Sequence, residues 1–119
     1  MAEHNVLGRR GEAIAANYLV LNGYKILERN WRYGKAEVDI IAEKDDFLVI
    51  VEVKTRTKNL TDIDKFLPKD RRRRLVLAAN AYVNLHDLDK EVRFDLIFIN
   101  RDGSSYTIEH IEQAFLAQW

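Results

Sequence analysis

Apolar positions at Leu7, Gly11, Ile14, Tyr18 and Leu21 recur three and four residues apart and predict an amphipathic helix over 5–22, closed by Gly23. A short strand is expected over 24–29, a turn around Tyr33-Gly34-Lys35, and a second strand over 36–43. Lys44-Asp45-Asp46 reads as a hairpin turn into a third strand over 47–55. That strand opens with the chain's longest apolar run, Phe-Leu-Val-Ile-Val, and so is expected to be central and covered on both faces. Residues 56–68 are polar, end in the only proline, and read as a loop. A second long helix is expected over 69–85, burying Leu75, Ala78, Ala79, Tyr82 and Leu85. A strand over 92–100, a turn at Asp102-Gly103, a short partner strand over 106–108 and a terminal helix over 111–119 complete the pattern. The order predicts one α/β domain over 1–119: a sandwich of helices about a central mixed sheet.

Strand parity carries the functional information. Side chains alternate, so Leu48, Ile50, Glu52, Lys54 and Arg56 share one face, which passes from core to charge within a few residues. Glu37, Asp39 and Ile41 share a face on the preceding strand. If Lys44 pairs with Phe47 across a two-residue turn, Ile41 falls opposite Ile50 and Asp39 opposite Glu52. Two carboxylates about 5 Å apart repel by roughly 3 kcal/mol at an effective dielectric of 20, and desolvation adds to the cost. Protonation, Lys54 or a divalent cation must offset it.

Composition narrows the choice of cation. There is no cysteine, and His4, His86 and His110 lie far apart without ligand spacing, so zinc is not expected. The oxygens of Asp39, Glu52 and the Val53 main-chain carbonyl suit Mg²⁺ or Mn²⁺. Lys54 is placed to orient a water or to meet charge developing on a phosphate. No organic cofactor is indicated. Glu12 lies about 140° from the main helical stripe, but beside Ala15, Ala16 and Leu19, with Gly8 and Gly11 allowing close approach of another element.

Asp39 followed by Glu52-Val53-Lys54 resembles the signature of the PD-(D/E)xK nuclease superfamily. The wider set Gly8-Arg9-Arg10-Gly11-Glu12, Asn30-Trp31-Arg32, Ala36 to Ile41, Val51 to Arg56, Arg74-Leu75, Arg93-Phe94-Asp95 and Ala114-Phe115 resembles the bacterial YraN-like family over nearly the whole chain. The resemblance implies a restriction-endonuclease-like three-layer sandwich, related to Holliday-junction resolvases. It puts Asp39, Glu52 and Lys54 in the catalytic positions, with Glu12 as the helical acid, able to reach the metal through water. Ala36 stands where that family usually has glycine, and Arg71 where a lysine is common.

Net charge is zero, so any nucleic-acid contact must come from a local patch. Arg71, on the sheet-facing side of the second helix, is the leading phosphate contact. Arg72 flanks it, Arg73 is expected to face solvent, and Arg9, Arg10, Arg56 and Lys58 could extend the surface. Glu37 reads as a partner behind the metal ligands or as an exposed strand acid. Asp95 reads as a structural charge paired with Arg93. Trp31 falls in an expected turn, where packing is its expected role and stacking on a base the alternative.

The leading functional expectation is an Mg- or Mn-dependent DNA endonuclease, including one selective for branched DNA. The alternative is a nucleic-acid-binding or assembly module that keeps the fold without turnover. No apolar run reaches the roughly 20 residues of a membrane span. The first residues carry no apolar core of a signal peptide, so a cytoplasmic location is the default expectation. A homodimer would suit symmetric cutting of two strands.

Overall fold

A computed structural model describes residues 2–56 and 66–117, the first eight of them by backbone alone. Helix α1 (Ala2–Leu21) precedes an antiparallel meander of β1 (Lys25–Tyr33), β2 (Ala36–Lys44) and β3 (Phe47–Arg56). Helix α2 (Lys69–Leu85) then returns the chain to β4 (Glu91–Asp102), which runs parallel to β3, and β5 (Ser105–Phe115) closes the sheet antiparallel to β4. The five strands lie in sequence order, and the one parallel pair makes the sheet mixed. Among the described residues no helix is long and apolar enough to cross a membrane.

One helix covers each face. Leu75, Val76, Ala78, Ala79 and Tyr82 of α2 pack on Leu48, Ile50, Leu96 and Phe98. Ala15, Ala16 and Leu19 of α1 pack on Val49, Val51, Ile97 and Ile99. Leu48, Val49, Ile50 and Val51 are each at most 1% exposed, so β3 is buried on both sides as its apolar run predicts. The hairpin register also follows expectation: Lys44 pairs with Phe47 and Ile41 with Ile50, Asp45 taking the positive φ of the turn.

Leu85, expected on the buried side of the second helix, is 70% exposed at its end, and three further expectations are corrected. The expected stripe of α1 holds only in part: Gly11 is buried and Ile14 and Tyr18 pack at the core edge, Leu21 does not join it, and the Leu7 side chain lies outside the described residues. Gly11, Ala15, Ala16 and Leu19 are buried, whereas Ile14 and Tyr18 are half-buried and Leu21 is 77% exposed. Size decides this face, because small residues let the helix backbone approach the sheet. A Cβ on Gly11 would collide with the Thr55 hydroxyl of β3. Gly11→Leu is therefore expected to cost roughly 1–3 kcal/mol by overpacking, read from urea denaturation, against a nearly neutral Asn17→Leu on the exposed side.

Trp31 lies in β1, which runs past the expected strand end at 29 to Tyr33, with the expected turn following at Gly34-Lys35. The third correction concerns residues 111–117. Ile111 to Phe115 extend β5, and no helix follows within the described residues. The Ile111, Ala114, Phe115 spacing that reads as helical comes from a β-bulge. Leu96 pairs with Ile111 but Phe94 pairs with Phe115, with Gln113 at positive φ between them. The shift turns Ile111, Ala114 and Phe115 alike toward the α2-side core.

Candidate active site

Alternation in β2 slips at one residue. Ile40 and Ala42 join the α1-side core and Ile41 the α2 side, yet Val38 and Ala36 also face α2. A regular strand would have put Val38 with Ile40. The slip falls at Asp39, where the β2–β3 ladder also stops, its last pair being Ile40 with Val51. Across the sheet on β1, Asn30 sits at positive φ between the Arg29–Ile40 and Trp31–Val38 pairs. Beyond this point Val53 has no partner on β2, and its N–H donates to Asp39 Oδ2 at 2.8 Å. The Asp39 side chain thus takes over a ladder position at the mouth of a fork between β2 and β3.

Glu52 stands on the other prong, one residue before Val53 and 3% exposed. Parity put Asp39 and Glu52 directly opposite. They do act on one another electrostatically, but past the end of the ladder, whose last pair is Ile40 with Val51. Burial, and next the Glu52 charge, push the Asp39 carboxyl up from 3.8 to about 8, against the lowering effect of the Val53 N–H. Glu12 adds to the rise and is half-buried on α1. The small-residue face that seats α1 on β3 is the face that carries Glu12.

Two cations answer the acids. Lys54 Nζ lies 3.7 Å from Glu52 Oε2. Arg71, in the first turn of α2, grips Glu52 with a fork: Nε to Oε2 and Nη2 to Oε1, both 2.9 Å. Its Nη2 also donates to the Glu37 carbonyl oxygen at 2.6 Å. Burial lowers the Arg71 pKa, but the hydrogen bonds and charge of Glu52 outweigh it and the net shift is upward. The fork accounts for an arginine at a helix N-terminus, where the dipole disfavours positive charge. Arg71 lies on the sheet-facing side of the helix as expected, and its engagement by buried Glu52 is a tertiary feature that local spacing does not reveal.

With Asp39, Glu52 and Glu12 ionised against Lys54 and Arg71, the cluster lacks one positive charge. Either a proton on Asp39 or a cation supplies it. Among the described residues no three Asp, Glu, His or Cys side chains converge as a metal-binding group. A cation would rest on Asp39, Glu52, a main-chain oxygen such as that of Val53, and water. These hard oxygens fit Mg²⁺ or Mn²⁺. Glu52 can accept from Arg71 and still offer a lone pair, because each carboxylate oxygen carries two.

The other charged residues disperse. The Glu37 side chain pairs with Arg32 at 3.1 Å, and its carbonyl accepts from Arg71 at the site. Arg56 donates to the Thr55 carbonyl and lies over Phe66. Arg72 donates to the Leu67 carbonyl and lies over Phe115, on an open groove between α2 and β5. Arg73 and Arg10 are exposed. The Arg9 side chain and Lys58 lie outside the described residues. Asp95 forms the expected pair with Arg93, by two bonds of 2.9 and 2.8 Å, and adds His110 Nε2 at 2.6 Å. Burial opposes the ionised Asp95 carboxyl, but His110, Arg93 and the Gln113 N–H together hold its pKa down. Because Asp95 Oδ1 accepts from the Gln113 N–H at 3.1 Å, this cluster pins the β5 bulge and needs no catalytic role.

Fold and site together define an α/β protein with a forked mixed sheet and an acid–lysine cluster at the fork. The chain belongs to the uncharacterised protein family UPF0102, whose profile matches residues 11–99, the segment holding every member of that cluster. A UPF0102 protein of Flavobacterium johnsoniae is 48% identical over 120 residues, covering 97% of this chain and 98% of the relative. One of Christiangramia forsetii is 49% identical over 116 residues, with 97% and 98% covered. One of Bacteroides fragilis is 47% identical over 120 residues, with 97% and 96% covered.

Proposed function

We propose that this protein is a metal-dependent DNA endonuclease of the PD-(D/E)xK type, with a restriction-endonuclease-like arrangement of helices about its sheet. The observation that carries the reading is the fork at Asp39. There the buried carboxylates of Asp39 and Glu52, with the charge of Glu12 nearby, outnumber the cations Lys54 and Arg71 by one. Asp39, Glu52 and the Val53 carbonyl would hold Mg²⁺ or Mn²⁺, with Glu12 reaching it through water. When bound, the ion supplies Lewis acidity and a water of lowered pKa. Asp39 keeps its place by accepting from the Val53 N–H. Arg71 fixes the orientation of Glu52. Lys54, 26% exposed at its side chain, offers its ammonium to a phosphate oxygen or to the attacking water. Arg10, Arg56 and Arg72, with Arg9 and Lys58, would hold flanking phosphates. Two copies would suit cutting of both strands of a branched or duplex substrate.

Lys54→Met is expected to lower cleavage of branched or single-stranded DNA by roughly 10²–10³-fold, in line with loss of one charge-stabilising donor. Glu52→Gln is expected to abolish cleavage and weaken Mn²⁺ binding together. Undiminished cutting by both variants would sink the reading.

One observation favours a second reading. The Arg71 fork already engages both oxygens of Glu52, which suits a nucleic-acid-binding module without turnover. That module would bind DNA in a salt-sensitive manner, weaken on Arg72→Ala, and cut with no metal.

A further inference from the structure

We propose that Trp31 and Tyr33 form a stacking platform for an unpaired nucleobase of the DNA strand held in the cleft, an inference that rests on the nuclease reading. The two residues are two apart on β1 and so share a face. Their rings lie 6.2 Å apart and 7° from parallel. Trp31 is fixed from below: it packs on the α2-side core, with Tyr82 edge-on at 5.2 Å. Tyr33 is 52% exposed. The result is a near-parallel, offset pair of rings, one anchored in the core and one half-exposed, against which a further flat ring can settle.

Its position relates it to the carboxylates. Trp31 pairs with Val38, Arg32 with Glu37 and Tyr33 with Ala36, the residues leading into Asp39. Glu37 and Glu52 are bridged by the Arg71 guanidinium. The platform is therefore one strand from the fork and on the Glu52 side of the sheet, on the order of 10 Å away by strand spacing and rise. One strand of DNA can touch both. Lys35, exposed in the next turn, adds a cation beside the rings, and aromatic rings with cations are the combination that holds single strands. Bases inside a duplex have both faces covered by their neighbours. Only an unpaired or terminal base can offer a face to Tyr33.

The test uses the full chain in EDTA, which prevents cutting, with a short single-stranded DNA carrying 2-aminopurine and a duplex of the same sequence. Wild type should quench the probe on binding. Tyr33→Ala should weaken single-strand binding by roughly 5- to 100-fold and lose the quenching, with duplex affinity and melting temperature unchanged. Tyr33→Phe should match wild type. The proposal is overturned if Tyr33→Ala binds the single strand as tightly as wild type, or weakens single strand and duplex alike. If, in addition, Asp39-dependent cleavage persists when Mn²⁺ is restored, the platform alone falls. A wild-type protein that neither binds nor cuts DNA overturns platform and nuclease reading together.

Discussion

Asp39→Asn is expected to make the metal-free protein more stable at pH 8 while abolishing metal-dependent cleavage. The carboxyl is raised to about 8 in the folded chain, chiefly by burial and then by Glu52, from an ordinary 3.8. Between those two values the folded protein holds a proton that the unfolded chain has released. Stability from this group is therefore complete below about pH 4 and is lost as pH rises toward 8, with a slope of at most about 1.4 kcal/mol per pH unit. Asparagine keeps an oxygen for the Val53 N–H but has no proton to lose, so its advantage over wild type should widen across this window. Mn²⁺ should reverse the ranking at pH 8 by stabilising wild type and leaving the Asp39→Asn variant unmoved, since the ion takes the place of the proton. Thermal melts at pH 5, 6.5 and 8, with EDTA or Mn²⁺, read both effects. A variant less stable than wild type at every pH would mean that Asp39 is structural.

The largest loss of stability is expected at Arg71. Glu52 is 3% exposed, and both of its oxygens receive the Arg71 fork. Removing one partner of a buried ion pair leaves a stranded charge and costs roughly 3–5 kcal/mol. Lys54 is a poor substitute at 3.7 Å. Arg71→Met should therefore lower the urea midpoint steeply, and Arg71→Met with Glu52→Gln should recover much of it. The double-mutant cycle isolates the pair energy from the packing of the arginine stem. A loss below about 1 kcal/mol in the single variant would indicate that Glu52 is hydrated in solution, as for an exposed pair.

These two residues mark where sequence reading succeeded and where it stopped. Parity brought Asp39 to Glu52 because β3 is a regular strand with a strong apolar run and the hairpin register is set by a two-residue turn. It could not show that the ladder ends at Ile40, since the slip at Asp39 leaves no signature in apolar spacing. Periodicity misleads at Ile111 to Phe115, because a bulge at Gln113 gives strand residues a helical spacing. In α1 it is only partly right: the buried face is Gly11, Ala15, Ala16 and Leu19, mostly small residues that count little on a hydrophobic scale but permit contact with Thr55. Glu12 was thus nearer the site than its angle from the apparent stripe suggested. The role of Arg71 follows from the burial of Glu52, a tertiary fact absent from local pattern.

The proposal that the fork at Asp39 is a working nuclease centre is tested most directly by one Mn²⁺ titration. Wild type and Asp39→Ala would be followed for metal binding and for cleavage of branched and single-stranded DNA in the same samples. Wild type should cut with a dependence on Mn²⁺ that tracks its binding, and Asp39→Ala should neither bind the ion at this site nor cut. Cleavage of equal rate in both proteins, or saturable Mn²⁺ binding by wild type with no cleavage of either DNA, would contradict the proposal.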